Sequence, residues 1–244
     1  MVIDFSIDEF LGGKLKIKQP KKGYRAGIDP VLLAASVNAS KGDNILELGC
    51  GVGVASLCLA KRVAGLNIYG VEIQSDYAAL AIENSQLNSM DLNVVSADIG
   101  KLPDSVVQMQ FDHVMANPPY FERLASTMSF NRGRDASRIL KTPLSDWVSV
   151  IAQRLKQRGW AHLIYRIDRF DKLFPLLTAR FGSFVLTPIV PREDREAELI
   201  MIHMRKSGKA AMPLESPLRL HKGYSHTSAA SDYTEKVESI LRGR

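Results

Sequence analysis

A glycine-rich loop stands where its backbone could hold a ligand, directly after an apolar run that begins at Ile45. The loop is Gly49-Cys50-Gly51-Val52-Gly53, and Glu47 precedes it. Glycines let a backbone approach a bound molecule closely and adopt conformations that other residues avoid. Dinucleotide enzymes use a similar loop, with the spacing GxGxxG, to bind pyrophosphate. Here Ser56 takes the third glycine position, and Glu47 would oppose a pyrophosphate but could attract a positive amino group, so a dinucleotide is disfavoured.

Acidic residues stand at the ends of the next two apolar runs. Glu72 ends Tyr69-Gly70-Val71-Glu72, and Asp98 follows Val94-Val95. A carboxylate at the end of the second strand accepts hydrogen bonds from ribose hydroxyls in nucleotide-binding α/β folds. Taken singly, each is more typical of a solvated loop or a helix cap. One carboxylate at each successive strand end favours a nucleoside cofactor.

The clearest chemical signal is Asn117-Pro118-Pro119-Tyr120, directly after the apolar run 111–116. It resembles motif IV of methyltransferases that act on adenine N6 or glutamine N5. Both target nitrogens are poor nucleophiles, because their lone pair is delocalised into a π system. The Asn117 side-chain oxygen and the Pro118 carbonyl would accept the two N–H groups and draw the nitrogen toward a tetrahedral geometry. The prolines stiffen the loop, and Tyr120 offers an aromatic face to a planar target.

The glycine loop, in the order E-x-G-x-G-x-G, resembles motif I of class I methyltransferases. That resemblance implies S-adenosylmethionine as cofactor, with the three loop glycines around its amino-acid part and the carboxylates around the rest. The residues expected at the cofactor are Glu47, Gly49, Gly51, Gly53, Glu72, Asp98, Asn117 and, more loosely, Asp29. The residues expected to be catalytic are Asn117, Pro118, Pro119 and Tyr120. A structural Pro-Pro turn is the alternative for the last set, and the upstream motif disfavours it.

Two further segments are similar to those of bacterial tRNA1(Val)-type adenine-N6 methyltransferases. They are 23–33, which precedes the glycine loop, and the basic stretch 132–138. This resemblance implies transfer to a tRNA adenine beside the anticodon, with Asp29 as a pocket or gating residue. The side chains expected to contact substrate are Tyr120, Phe121, Arg132, Arg134, Arg138, Lys21 and Lys22.

Three other functions remain as alternatives. Protein N5-glutamine methyltransferases share the NPPY motif, but they usually bring a helical substrate domain before motif I, and only about forty residues precede it here. A dehydrogenase is disfavoured by Ser56 and would leave NPPY without a role. An RNA-binding module with a degenerate cofactor site is disfavoured because both motifs are intact.

Alternating apolar runs and helical stretches predict the α/β class: a Rossmann-like, seven-stranded, mostly parallel sheet with an antiparallel closing strand. The closing pair is expected at 183–190 and 197–204. We expect an N-terminal extension over 1–40, in which Leu15 and Ile17 alternate with lysines as in an exposed strand. A core domain follows over 41–206. A C-terminal tail over 207–244 is expected on or near the substrate face.

The composition indicates where the protein is expected in the cell and which partners it is expected to bind. The 244-residue chain carries a formal charge of +6, which is compatible with a polyanionic partner such as RNA. It contains two cysteines, Cys50 and Cys58, without zinc-like spacing, so neither a disulfide framework nor a metal site is expected. No apolar run reaches the length of about 20 residues that spans a bilayer, and no secretory signal pattern is present, so we expect a cytoplasmic protein without a membrane partner.

Overall fold

The structure is a computed structural model that describes residues 4–119, 142–225 and 232–244. Within these ranges the strands are β1 (Phe5–Phe10), β2 (Leu15–Pro20), β3 (Asn44–Leu48), β4 (Asn67–Glu72), β5 (Asn93–Ser96), β6 (Phe111–Ala116), β7 (Leu155–Arg166), β8 (Phe181–Val190), β9 (Leu199–Lys206) and β10 (Leu218–Arg219). The helices there are α1 (Asp29–Ser36), α2 (Val54–Arg62), α3 (Ser75–Leu87), α4 (Asp104–Val107), α5 (Leu144–Arg154), α6 (Phe170–Thr178) and α7 (Glu235–Leu241). Short 3-10 turns follow β5 and β7, at Ile99–Lys101 and Ile167–Arg169.

The main sheet has the strand order β10-β8-β9-β7-β6-β3-β4-β5. Strands β3 to β7 run parallel, and β9 lies antiparallel between β7 and β8. The predicted α/β class, with a mostly parallel sheet and an antiparallel closing strand, is confirmed. The two-residue strand β10 pairs in parallel with β8 and adds an eighth strand to the predicted seven. Nothing in the apolar pattern marks so short a strand, because its pairing depends on where the tail folds back.

The sheet divides the core into two apolar layers, because side chains alternate between its faces. Ile45 belongs to the layer under α1, α2 and α3. Leu46 and Leu48 belong to the opposite layer, which also holds Val106 of α4, Ile151 of α5 and Leu173 of α6. Each of these side chains is at most about 1% exposed. This sandwich sets the positions of the strand ends that carry the polar motifs.

The N-terminal hairpin β1–β2 is antiparallel and packs against the first layer. Leu15 and Ile17 are 1% and 0% exposed, so the expected exposed strand was wrong on this face of the hairpin. Asn84 of α3 and Asn88, which caps the end of that helix, bind the outer edge of β2: Asn84 Oδ1 accepts from Lys18 N at 2.7 Å, and Asn88 Oδ1 accepts from Lys16 N at 2.9 Å. Their amide groups donate back to the carbonyls of the same two lysines. This pairing satisfies an open strand edge, and strand alternation alone could not reveal it.

Candidate active site

The glycine loop runs from the carboxyl end of β3 into α2 in left-handed conformations. Gly49, Gly51 and Gly53 have φ angles of 68°, 55° and 86°, a region that glycine enters without strain. The Gly49 and Cys50 amides donate to the Val71 carbonyl at 2.8 and 3.0 Å. The loop is therefore held against the end of β4.

The surroundings of Gly49 and Gly51 differ. A Cβ at Gly49 would lie 2.9 Å from Cη2 of Trp147, so the indole of α5 occupies that space. A Cβ at Gly51 would meet no atom of the described residues within 4 Å. The loop is thus packed from below at Gly49 and open to a ligand at Gly51.

Glu72 joins the loop to the next strand end. Its side chain is buried, with Oε2 accepting from Gly51 N and Oε1 from Gln74 N, both at 2.9 Å. Burial raises the pKa of this carboxyl, and the backbone N–H groups of Gln74 and Gly51 oppose the shift. The carboxylate expected at a ribose therefore also braces the glycine loop.

Glu47 is buried under the loop and binds the start of α2. Its Oε2 accepts from the backbone N–H of Ser56 at 2.9 Å and from the Ser56 hydroxyl at 2.5 Å. Burial raises the Glu47 pKa to about 8, although both Ser56 bonds favour the ionised form. Ser56, which the sequence treated only as a missing glycine, is the partner that positions the acidic residue of the motif.

Two tyrosines that sequence reasoning did not select stand near these carboxylates. Tyr77 of α3 donates from its hydroxyl to the Tyr24 carbonyl at 3.1 Å. Tyr24 is 52% exposed as a whole residue, and its hydroxyl lies in the more buried part. Burial there, followed by the charges of Asp29 and Glu47, raises the Tyr24 pKa well above its usual value. Segment 23–29 therefore lies beside α3 and near Glu47, a proximity that only the folded chain creates.

Asp29 and Asp98 stand at the margins of this group. Asp29 opens α1 and is partly buried, and burial raises its pKa. Asp98 follows β5, and its Oδ1 accepts from Gly100 N at 2.9 Å, which caps the 3-10 turn 99–101. Glu72 and Ser96 are register partners, so Asp98 lies at the same sheet edge as Glu72. This capping bond is the structural role that is typical of a single carboxylate in a loop.

The Asn-Pro-Pro segment leaves β6 beside the glycine loop. Ala116 is the register partner of Leu48, so Asn117 and Gly49 begin two neighbouring loops at one edge of the sheet. Pro118 is buried, whereas Asn117 and Pro119 are partly exposed. The chain order of the parallel sheet reverses between β3 and β6, and open α/β sheets bind ligands at such switch points. Tyr120, Phe121, Arg132, Arg134 and Arg138 lie outside the described residues.

Trp147 of α5 packs against the glycine loop at Gly49. Its side chain is 6% exposed, as expected of a packing residue. Its indole Nε1 is buried and has no hydrogen-bond partner among the residues that the structure describes. The ring therefore fixes the position of Gly49 by contact.

Three of the six lysines and arginines in segment 14–25 are paired with carboxylates. Lys18 binds Glu83 at 2.8 Å, Lys21 binds Asp4 at 3.0 Å and Arg25 binds Asp8 at 2.5 Å. Lys22 is exposed beside Lys21. Lys21 therefore lies on the surface next to segment 23–29, with its charge already shared with Asp4.

The arrangement fits a nucleoside cofactor that carries an amino-acid group. The pocket combines an open position over Gly51, a carboxylate at the ends of β3 and β4, and no cation in the glycine loop that would suit a pyrophosphate. Buried carboxylates favour a positively charged ligand, because its charge offsets the cost of ionising them.

A profile of known families matches residues 26–157, just over half of the chain, as "Methyltransferase small domain". The chain belongs to this family. The match confirms the predicted methyltransferase class and, with it, S-adenosylmethionine as the cofactor of that class. It begins at Ala26, inside the segment treated as an N-terminal extension.

Curated relatives carry two kinds of name. A "tRNA1(Val) (adenine(37)-N6)-methyltransferase" of Glaesserella parasuis is 31% identical over 61% of this chain and 62% of its own length. One with the same name from Haemophilus influenzae is 32% identical over 63% and 66%. A Methanocaldococcus jannaschii protein, provisionally named as a protein N5-glutamine methyltransferase, is 31% identical over 52% and 65%. The matches thus span about three fifths to two thirds of these relatives' lengths.

Solved structures agree on the fold. A predicted O-methyltransferase from Agrobacterium tumefaciens has a TM-score of 0.70 at 23% identity, covering 88% of this chain and 96% of its own. The 16S rRNA N2 G1207 methyltransferase of T. thermophilus, solved with AdoMet and guanosine, has a TM-score of 0.59 at 20% identity, covering 84% and 51%. At these identities the likeness concerns the fold alone, and it confirms the class I methyltransferase architecture. Within the described ranges no helix is long and apolar enough to cross a membrane, and no cluster of three metal-ligating side chains occurs.

Proposed function

We propose that this protein transfers a methyl group to the exocyclic N6 of an adenine in RNA, with a tRNA adenine near the anticodon as substrate. The observation that carries the proposal is the register of β3 and β6. It places the Asn117 loop directly beside the glycine loop, at the switch point of the sheet. Relatives named as tRNA adenine-N6 methyltransferases support the choice of acceptor.

In this proposal the chain contributes orientation and hydrogen-bond acceptors. The Asn117 side-chain oxygen and the Pro118 carbonyl accept the two N–H groups of the target amine, so that its lone pair points out of the ring plane. S-adenosylmethionine supplies an electrophilic methyl group on a sulfonium. As the N–C bond forms and the S–C bond breaks, the nitrogen becomes cationic, and it then loses one proton to solvent without a strong base. Proline rigidity means that the acceptors need no rearrangement at that moment.

Cofactor placement in the proposal uses the described pocket. Gly49, Gly51 and Gly53 would surround the amino-acid part, Glu72 would meet the ribose and Asp98 the adenine. Glu47 would act from beneath the loop, since its Oε2 already binds Ser56. Tyr24 and Asp29 would close the pocket from segment 23–29.

The test is transfer of labelled methyl from S-adenosylmethionine to total tRNA and, separately, to a protein fraction. Wild type should place the label in tRNA as N6-methyladenosine. Asn117→Ala should lower the rate about a hundredfold or more, the order expected for a preorganised transition-state hydrogen bond. Asn67→Ala makes the same change at the opposite edge of the sheet, where Asn67 contacts Asn44, and should keep the rate.

Label in protein as methylglutamine, with none in tRNA, would move the function to the glutamine alternative that the Methanocaldococcus jannaschii relative represents. Equal rates for Asn117→Ala and wild type would reject the assigned role of Asn117 whatever the acceptor.

A further inference from the structure

Two segments of the chain carry cations and no carboxylates. No acidic residue occurs between Asp146 and Asp168, or between Glu198 and Glu215. We call the cations at the amino edge of the sheet in these segments the amino-edge patch: Arg154, Lys156, Arg158, Arg205, Lys206 and Lys209.

The fold joins the two halves of the amino-edge patch, because β7 begins where the antiparallel strand β9 ends. Trp160 is the register partner of Arg205. Arg205 Nε donates to the Arg158 carbonyl at 2.8 Å, and Lys206 Nζ donates to the Leu155 carbonyl at 2.7 Å. Backbone carbonyls thus hold two of these side chains close to one another without neutralising their charge.

A cavity of about 410 Å³ opens within the patch. Lys156, Arg158, Trp160 and Arg205 line it, and the Arg205 guanidinium lies 5.5 Å from the centre of the Trp160 ring. Cations beside an aromatic ring suit a phosphate-sugar chain, since phosphates bind cations and rings stack on bases or sugars.

Two carboxylates, Asp43 and Asp112, also line this cavity, and each has a partner. Asp112 pairs with Lys156 at 2.8 Å, and Asp43 lies 3.3 Å from His113 Nε2. Three cations and two carboxylates line the cavity, and the other three cations of the patch, Arg154, Lys206 and Lys209, add to the positive charge of this edge.

The patch stands at the edge of the sheet opposite to the candidate active site. Asp112 is the second residue of β6 and lines the cavity, and Asn117 follows the end of that strand, so the two lie roughly 17 Å apart at about 3.3 Å per strand residue. A path over the protein surface is longer. A ligand on the patch is therefore separate from the reacting base.

We propose that the amino-edge patch binds backbone phosphates of the RNA substrate, outside the stem-loop that enters the active site. The proposal rests on the proposed function, since it assumes an RNA acceptor. The cations of this edge would then raise the affinity for the RNA and take no part in methyl transfer.

The test combines Arg158→Asn with Lys209→Gln, both exposed positions. Asparagine is chosen because Arg158 has a φ of 65°, which asparagine tolerates. The matched control combines Lys61→Gln with Lys172→Gln, two exposed lysines on α2 and α6. Binding and methylation are measured on a full-length tRNA and on its isolated anticodon stem-loop, over a series of salt concentrations, with the melting temperature as a check on folding.

The patch variant should bind full-length tRNA at least about tenfold more weakly at low salt. The slope of log K against log salt should shrink by about one for each phosphate that the variant no longer neutralises. Methylation of the stem-loop should match wild type, and the control should match wild type on both RNAs. Unchanged binding of full-length tRNA, or equal weakening on both RNAs, would overturn the patch proposal alone. A wild type that methylates neither RNA would overturn the proposed function, and the patch proposal with it.

Discussion

At the residue scale, the glycines of one loop have different tasks. Gly49 is needed because Trp147 occupies the place of its Cβ, whereas a Cβ at Gly51 would meet nothing in the part of the chain that the structure describes. Both have positive φ, so any other residue brings some backbone strain. Gly49 is therefore required for packing of the folded chain, and Gly51 for binding of the ligand.

Gly51→Ala should therefore weaken S-adenosylmethionine binding by more than tenfold, because the added methyl group enters the space left for the ligand. The fold should lose only the cost of a left-handed alanine, about 1–2 kcal/mol. Gly42→Ala is the matched control, because Gly42 has a φ of 92° and no described atom lies within 4 Å of its Cβ position, but Gly42 lies before β3 and outside the glycine loop. Calorimetric titration measures the affinity for S-adenosylmethionine, and thermal melting measures the stability of each variant. Equal affinities in the two variants would contradict a ligand over Gly51.

At the element scale, three histidines on β6, β7 and β9 form a hydrogen-bonded chain through the first core layer. His113 Nδ1 lies 2.9 Å from His162 Nε2, and His162 Nδ1 lies 2.7 Å from His203 Nδ1. If His113 donates from Nε2 to Asp43, each following ring can donate to the one before it, and all three rings are satisfied in the neutral form. Burial lowers the pKa of each ring, and for His162 the neighbouring His203 and His113 lower it further.

This chain should make the protein acid-sensitive. The unfolded rings bind protons near pH 6.5, whereas the folded rings bind them only at lower pH. The stabilisation is therefore complete above about pH 6.5 and is lost as the pH falls below it, with a slope of up to about 1.4 kcal/mol per pH unit for each ring. Urea unfolding between pH 7 and 5 should show a shallower slope for His162→Gln than for wild type.

His221→Gln changes a histidine of the tail and leaves the chain of three intact, so it should keep the wild-type contribution of that chain. Identical slopes for wild type and His162→Gln would show that burial of these rings does not govern the acid response.

At the scale of the whole molecule, the C-terminal segment is clipped to the carboxyl edge of the sheet. Asp232 pairs with Arg192 of the β8–β9 loop and accepts from His221 Nδ1 at 2.6 Å. The side chains of Arg192 and Asp232 are 13% and 10% exposed. Beyond this clip, α7 packs its fully buried Val237 toward α1. The tail thus joins the closing strands to the N-terminal elements, and its expected position on or near the substrate face stays a prediction.

Asp232→Asn should destabilise the protein by about 3 kcal/mol, because a nearly buried arginine loses its counter-charge. Asp168→Asn makes the same change in the more exposed pair with Arg166, and should cost at most about 1 kcal/mol. Chemical unfolding of both variants against wild type measures the difference. A similar small loss in both would mean that the clip does not anchor the tail.

The sequence by itself determined the class of fold and the nature of the chemistry. Apolar runs that alternate with helical stretches specify a parallel sheet, because the spacing of apolar residues in strands and helices can be read within short segments. The motif residues are recognised by their types and by their spacing at the strand ends. The loops that contain Gly49 and Asn117 must then lie at the same edge of the sheet, because the carboxyl ends of parallel strands share an edge.

Only the tertiary structure decided which side chains meet across long separations. Ser56 under Glu47, Tyr24 beside Tyr77, Trp147 beneath Gly49, the histidine chain and the amino-edge patch all depend on packing between distant elements. No local pattern encodes such contacts, because each arises from the position of one element against another after the core has formed.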